Sequence, residues 1–276
     1  MSAIIERTIK AKKGLVPLDF KELYQYRELF WVLSWRNVLI RYKQTYLGVA
    51  WAVLQPLLTM LVFVVIFGGV AKMDSKGAPF AVFSFAALLP WLFFSNAISE
   101  SSNSLVASQN MITKVYFPRL IIPASAVLSG LLDLLISMGL LLLLMLWYGV
   151  KFTPYFLLLP LFFAATFLTA MGFGFWFSAL SVRYRDVKYV VPFLVRMGIY
   201  ISPVGYLSDK LYSRFGDWYG LNPLVGIIDG FRWCILGSAF EPNWTGLWLG
   251  WAVMLTVLVS GAVYFRSTEK TFADVI

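Results

Sequence analysis

The sequence contains no histidine and only one cysteine, Cys234, in 276 residues. Without histidine the chain lacks the commonest general base and the commonest ligand for transition metals. A single cysteine cannot close an internal disulfide, and it does not supply the clustered thiolates of a metal site. The phosphate-binding pattern G-x-x-x-x-G-K-[ST] and the hydrolase pattern G-x-S-x-G are also absent. These absences argue against an enzyme and predict that the chain itself binds no metal, ATP or other cofactor.

Charge is also scarce, because only 13% of the residues are Asp, Glu, Lys or Arg, whereas soluble proteins average about 25%. Apolar residues make up 60% of the chain and aromatic residues 18%. Such a composition offers too little polar surface for a soluble fold, so it predicts a membrane protein. The net charge of +9 would favour nucleic-acid binding in a soluble protein. Here cations beside membrane spans explain it, and we expect no nucleic-acid partner.

Six segments are long and apolar enough to be membrane-spanning helices, which need about 20 residues each. The fifth is the weakest, because Arg196 and Pro203 interrupt it. We therefore predict an all-α integral membrane protein with a six-span domain, residues 47–265, between an N-terminal segment, 1–46, and a tail, 266–276. The predicted spans are 47–70, 80–98, 120–147, 155–180, 190–207 and 244–265.

The lysines and arginines predict the orientation of these spans. Sixteen lie in the N-terminal segment, the tail and the two loops on the same side, and six lie on the opposite side. Under the positive-inside rule, both termini are expected in the cytoplasm of a protein of the bacterial cytoplasmic membrane. The first 20 residues carry charges throughout, so we expect no cleavable signal peptide.

Residues 28–43 form an apolar segment that is too short to span a membrane. On a helix, Arg27, Ser34 and Arg41 would form one polar stripe, because they recur every seven residues. The pattern predicts an N-terminal amphipathic helix in the cytoplasmic interface. The alternative is a short cytosolic helix packed on the rest of the chain.

Residues 222–237 form a second short apolar segment, on the external side. Asp229 and Arg232 are three residues apart, a spacing that allows them to pair on a helix. We predict short re-entrant or gate helices within residues 208–243, between spans five and six. The alternative is an ordinary external loop.

Two ionisable residues lie inside the predicted spans. Asp133 falls near the middle of the third span, where a charge is costly, so we expect it to face a bundle interior or an aqueous path. The alternative is an aspartate that helps helices pack. Arg196 in the fifth span either reaches back to the cytoplasm or lines a pore.

Five motifs occur in one order on this six-span layout. They are Tyr46-Leu47-Gly48 with Trp51 and Gln55-Pro56; Asn110-Met111-Ile112-Thr113-Lys114 with Tyr116-Phe117-Pro118-Arg119; Tyr184-Arg185-Asp186-Val187; Ser202-Pro203; and Leu221-Asn222-Pro223-Leu224 followed by Phe231-Arg232. The set resembles type-two ABC exporter permeases, above all those that export lipid-linked polysaccharides such as O-antigen, capsule and teichoic acid. The resemblance covers about residues 20–265.

The resemblance implies a half-transporter. Two copies would form the channel as a homodimer, and two separate ABC ATPase subunits would supply the energy with ATP and Mg. Implied ATPase-coupling residues are Asn110, Lys114, Tyr116, Phe117 and Arg119. Implied residues of the translocation path or its entrance are Arg41, Tyr46, Asp133, Arg196 and Tyr200. Implied residues of the external gate are Asn222, Asp229, Phe231 and Arg232.

The leading functional hypothesis is therefore a permease that exports a lipid-linked, O-antigen-like polysaccharide. One alternative is efflux of a small hydrophobic drug or lipid by the same family. Another is an integral-membrane enzyme such as a glycosyltransferase or phosphatase. That alternative needs positioned acids, bases or a metal, of which the sequence offers very little.

Overall fold

The computed structural model describes residues 20–43, 48–269 and 272, and across these residues the regular structure is helical throughout. The α-helices are α1 (Phe20–Gln25), α2 (Arg27–Lys43), α3 (Gly48–Phe63), α4 (Phe80–Ala107), α5 (Gln109–Ile112), α6 (Ile121–Ser129), α7 (Leu131–Trp147), α8 (Leu159–Arg183), α9 (Val187–Ile201), α10 (Asp209–Phe215), α11 (Pro223–Leu236) and α12 (Trp244–Thr268). A π-helix, Val64–Val70, continues α3, and 3₁₀ turns cover Pro154–Leu158, Gly216–Leu221 and Ser238–Phe240.

Five helical stretches among the described residues are long and apolar enough to cross a membrane. They are Ala50–Val70, Phe80–Ala107, Ile121–Trp147, Pro154–Arg183 and Trp244–Thr268. The prediction of an all-α, multi-pass membrane protein is confirmed.

The predicted fifth span, 190–207, is represented by α9, which has only 15 residues. At 1.5 Å per residue such a helix reaches ~22 Å, short of a hydrocarbon core of about 30 Å. It ends because Ser202 adopts an extended backbone, the conformation favoured immediately before a proline. The count of six spans stays a prediction.

Helix α4 lies at the centre of the fold. In its most apolar stretch 89% of the residues are buried, against 11% in the first span. A helix that is apolar on every side is stable only when it is surrounded, and α4 packs against α6, α7, α8 and α11. It also continues beyond the predicted end at residue 98, to Ala107.

Helices α8 and α12 approach each other closely at two glycines. A Cβ atom on Gly172 would lie 2.8 Å from the backbone nitrogen of Leu258, and one on Gly261 would lie 2.6 Å from the carbonyl oxygen of Gly172. Small residues allow such backbone contact between membrane helices. One turn further on, the rings of Trp176 and Tyr264 stack with centroids 4.4 Å apart.

Candidate functional site

Helix α2 packs along α6 with its polar side turned towards the protein. Ser34 is buried and donates to the carbonyl oxygen of Phe30 at 2.8 Å, and the Asn37 amide donates to the Ser125 hydroxyl at 3.4 Å. Trp31 and Trp35 are exposed on the outer surface, together with Arg36. A helix is therefore present in the predicted segment, with aromatic rings directed away from the protein. Its position in the membrane interface stays a prediction.

At the end of α2, Arg41 joins three helices through its side chain. Its guanidinium forms ion pairs with Glu100 on α4 and Asp133 on α7. The hydroxyl of the neighbouring Tyr42 donates to the second carboxylate oxygen of Asp133. Charged groups away from water need partners of this kind, so the cluster anchors the end of α2 to the membrane-spanning bundle.

This cluster lies in the wall of a cavity of about 520 Å³ between α2, α3, α4 and α7. Polar groups share the wall with an aromatic ring and apolar side chains. Gln55 and Asn96 line this space, and neither side-chain amide has a hydrogen-bond partner among the described residues. The polar and aromatic lining residues are Arg41, Tyr42, Trp51, Gln55, Phe93, Asn96, Glu100, Asp133 and Ser137.

The structure brings together only part of the predicted translocation path. Arg41 and Asp133 are in contact, although 92 residues separate them in the sequence. Arg196 and Tyr200 are exposed on α9 and do not line the cavity. Tyr46 lies outside the described residues.

Sequence reasoning missed Glu100 because it placed the end of the second span at residue 98. The helix continues, and Asn96 and Glu100, four residues apart, lie on one face of it. That spacing beyond a hydrophobic run was the signal available in the sequence.

The predicted coupling segment folds as α5 and the loop that follows it. Asn110, Lys114 and Tyr116 are exposed on its surface. Phe117 is only 4% exposed and packs in a cluster with Phe175 on α8. Phe117 therefore anchors the loop, and its exposed neighbours form the surface open to a partner.

Two carboxylates hold this loop in place. The backbone N–H of Arg119 donates to the Glu269 carboxylate at 2.8 Å, and the Arg119 guanidinium donates to the Glu269 carbonyl oxygen at 2.5 Å. Arg266 donates to the same carboxylate at 2.5 Å and to Glu22 at 3.4 Å. The loop is thereby tied to α1 and to the end of α12.

Tyr116 completes this network, because its hydroxyl donates to Glu22 at 3.4 Å. Partial burial and the nearby Glu22 carboxylate raise the pKa of Tyr116 above its usual value. The phenol thus stays protonated, and remains a donor, throughout the physiological pH range.

The predicted gate residues are mostly buried, on α11 and at its start. Asn222 caps α11, accepting a hydrogen bond from the Leu224 N–H at 3.1 Å. Arg232 donates to the carbonyl oxygens of Val204 and Tyr206 at 2.9 Å each and stacks over the Phe83 ring at 3.7 Å. Arg232 thus clamps the turn that follows α9.

Asp229 is close to Arg232 in sequence, but the expected ion pair is not among the contacts within the described part of the chain. The guanidinium of Arg232 donates its hydrogen bonds to backbone carbonyl oxygens. One carboxylate oxygen of Asp229 is buried and has no hydrogen-bond partner among the described residues. Burial raises the pKa of Asp229 to about 6, and the positive charge of Arg232 opposes that rise. Phe231 is fully buried beside them.

A second cavity, of about 190 Å³, lies between α4, α8, α9 and the start of α11. Its wall is almost entirely apolar and contains several aromatic rings, including Trp91, Phe94, Phe173 and Phe177. It would suit an apolar ligand.

Comparison with known proteins gives a consistent result along the chain. The chain is 29% identical over 258 residues to the O-antigen export system permease protein RfbA of Myxococcus xanthus, covering 93% of this chain and 98% of that relative. It is 26% identical to the O-antigen export system permease protein RfbA of Klebsiella pneumoniae, covering 90% of this chain and 95% of the relative. It is 24% identical to the polysialic acid transport protein KpsM of Escherichia coli, covering 85% and 91% respectively.

The family model for ABC-2 type transporters matches residues 28–236. This range includes Arg41 on α2, the predicted coupling segment, the carboxylates Glu100 and Asp133, and the buried Arg232. The match therefore covers the ion-pair cluster of Arg41 and the contacts of Arg232 with the turn after α9. The chain belongs to the ABC-2 type transporter family.

Proposed function

We propose that this chain is the permease subunit of an ATP-driven exporter that moves a lipid-linked, O-antigen-like polysaccharide across the bacterial cytoplasmic membrane. The observation that carries the proposal is similarity along at least 85% of the chain to relatives named for O-antigen export and polysialic acid transport. Both names describe proteins that act on long glycans.

The structure around α2 is compatible with a substrate that has both an apolar and a polar part. The outer face of α2 presents exposed Trp31, Trp35 and Ile40, while its inner side leads to the charged and amide-lined cavity. A lipid carrier with a glycan attached has the matching chemistry, because its tail needs an apolar surface and its sugars need hydrogen-bond partners.

The energy for transport comes, in this proposal, from a separate ABC ATPase bound to the coupling loop. The chain has no phosphate-binding loop of its own. Its exposed Asn110, Lys114 and Tyr116 lie on a loop that is braced from within by Phe117 and Glu269. Because the loop is held rigidly, a movement of a bound ATPase would be transmitted to the membrane helices. We infer two ATPase subunits per transporter, with ATP and Mg bound to them.

We also infer that two copies of the chain assemble as a homodimer. Helix α9 buries only Val191 and exposes large apolar residues such as Phe193 and Met197. The charged Arg196 lies among them, and an arginine is costly where it faces lipid. A second copy would cover this surface and place Arg196 and Tyr200 beside a shared path.

The second cavity favours one alternative, export of a small hydrophobic drug or lipid by the same fold. Its apolar, aromatic wall would accept such a molecule without needing the charged cluster. The two functions differ in what the cell gains: surface polysaccharide in one case, resistance to a hydrophobic toxic compound in the other.

The coupling loop provides the test. We predict that the double substitution Lys114→Glu and Tyr116→Ala abolishes surface polysaccharide in an exporter-deficient strain that expresses the chain with its ATPase. Charge reversal and loss of the ring remove exposed contacts with the partner and the long Tyr116–Glu22 hydrogen bond, but no core packing, so the chain should still accumulate in the membrane. The measurements are surface polysaccharide and the amount of ATPase that co-purifies with the chain.

Lys210→Glu, at an exposed position on the external side, is the matched control and should export normally. Full export by the double variant would refute the coupling role. Drug resistance without surface polysaccharide from the unmodified chain would favour the alternative function.

A further inference from the structure

The wall of the larger cavity combines three kinds of group that rarely meet inside a membrane protein. Trp51 supplies a half-exposed indole ring, Gln55 and Asn96 supply amides without protein partners, and Glu100 supplies a carboxylate whose side chain is 38% exposed. Polar groups that line a cavity and have no protein partner are available to a ligand, and a few such groups fix a ligand's orientation in a binding site.

The charges in this wall disfavour a phosphate. The guanidinium of Arg41 already has both terminal nitrogens paired with carboxylates. The positive charge of Arg41 is thus already shared between two carboxyl groups, so an added phosphate would gain little attraction from it and would lie close to both. A ligand that competes for Arg41 would leave two carboxylates without their cation, which is costly away from water.

A neutral sugar fits the same wall without that cost. Its hydroxyl groups both donate and accept, so they match carboxylate acceptors and amide groups that do both. The apolar face of a sugar ring can lie against the indole of Trp51, which has a large apolar surface. The volume of about 520 Å³ falls within the range of roughly 300–1,000 Å³ usual for small-molecule sites.

We propose that this cavity is a carbohydrate subsite that holds a neutral sugar residue of the exported glycan beside α2 and α3. The inference rests on the proposed function and adds the location of a sugar-binding site and the role of each residue in it. Trp51 stacks on the ring, Gln55, Asn96 and Glu100 bind its hydroxyl groups, and the Arg41 cluster fixes the wall. The carrier phosphates remain outside this cavity.

The test uses two photoreactive probes with the same alkyl chain and diazirine, one carrying a glucosyl headgroup and the other a phosphate. Each is applied to the permease–ATPase complex in lipid nanodiscs, and labelled peptides are identified by mass spectrometry. We expect the glucosyl probe to label peptides that contain residues 51–56 or 96–100, and excess maltose to suppress that labelling. The phosphate probe should label these peptides several-fold less.

Variants in the wall make the expectation specific. Trp51→Ala and Asn96→Ala should each raise the probe concentration for half-maximal labelling about fivefold, the effect of losing one stacking or hydrogen-bonding contact. Gln55→Met keeps the side-chain length and removes the amide. It should weaken labelling in the same way, in a variant that preserves packing. Trp248→Ala is the control, because this exposed tryptophan on α12 is not among the lining residues.

Equal labelling by the two probes, or wall variants that label like the unmodified chain, would overturn the subsite. Measuring surface polysaccharide in the same strains distinguishes failure of the subsite proposal from failure of the proposed function. Restored export without specific glucosyl labelling rejects the subsite alone. A chain that never restores export rejects the function on which the subsite rests.

Discussion

Replacing Gly172 by alanine should destabilise the contact between α8 and α12. The new Cβ would lie 2.8 Å from the backbone nitrogen and 2.9 Å from the Cα of Leu258, well inside normal van der Waals contact. Backbone atoms cannot rotate away as a side chain can, so the two helices must separate. Overpacking of this kind costs about 1–3 kcal/mol. At roughly 2–4 °C per kcal/mol for a chain of this size class, the melting temperature should lie roughly 2–12 °C below that of a helical glycine-to-alanine variant that has no clash but shares the same gain in helix propensity.

The measurement is thermal loss of the monodisperse protein peak in mild detergent. Gly139→Ala is the matched control, because Gly139 lies in α7 and a Cβ there meets nothing within 4 Å. Alanine is favoured over glycine in a helix by about 1 kcal/mol, so this variant should melt at the same temperature or slightly higher. If both variants melt together, close packing at Gly172 does not stabilise the fold and the reasoning is refuted.

Two further predictions concern charged groups. Glu269→Gln removes the negative charge between Arg119 and Arg266, so hydrogen exchange in residues 113–120 should quicken about tenfold, the effect of losing ~1.4 kcal/mol. Glu241→Gln is the control, because Glu241 pairs with Trp244 instead, and unchanged exchange in Glu269→Gln would contradict the role of Glu269 in holding the loop. Asp229 has a folded pKa of about 6, above the ordinary value of about 3.9, so its contribution to stability is fully present below about pH 4 and lost as the pH rises through about 6. The melting temperature should therefore fall between pH 4 and 7 by more in the unmodified chain than in Asp229→Asn, and parallel curves would show that Asp229 does not titrate in this range.

The spans were predictable because length and apolarity are local properties of a sequence. The predicted segment 244–265 and the observed α12 begin at the same residue, and the third span differs from the prediction by one residue at its start. The ends were harder, because polar residues such as Glu100 can continue a helix beyond its apolar run when neighbouring helices pair with them. Glu100 is such a case, since Arg41 neutralises it.

The candidate site was only half predictable. Arg41 and Asp133 each stood out as a charge beside or within an apolar run, but their contact depends on how α2 packs on α6, which no local pattern reveals. The same limit applies to Phe117. Its motif indicated a coupling segment, but burial against α8 and α12 turned this ring inward.

Asp229 and Arg232 show the limit of spacing arguments. Three residues apart on one helix, they had the geometry of a pair, yet Arg232 donates to the carbonyl oxygens of Val204 and Tyr206 in the turn after α9. Those carbonyl groups lie between α9 and α10, outside any regular helix, so no helical N–H pairs with them. The competition was set by tertiary structure.

The ion pairs of Arg41 also impose an order on biogenesis. Their carboxylate partners follow it by 59 and 92 residues, so a ribosome has made the second span and half of the third before the charge can be neutralised. Until then α2 emerges with one aromatic side suited to lipid and one polar side without a neighbour, a state that suits residence at the membrane surface. The N-terminal helix, although synthesised early, therefore docks late, after the helices that receive it have been inserted. A chain released between Glu100 and Asp133 would hold this helix by one carboxylate only and would lack its link to α7.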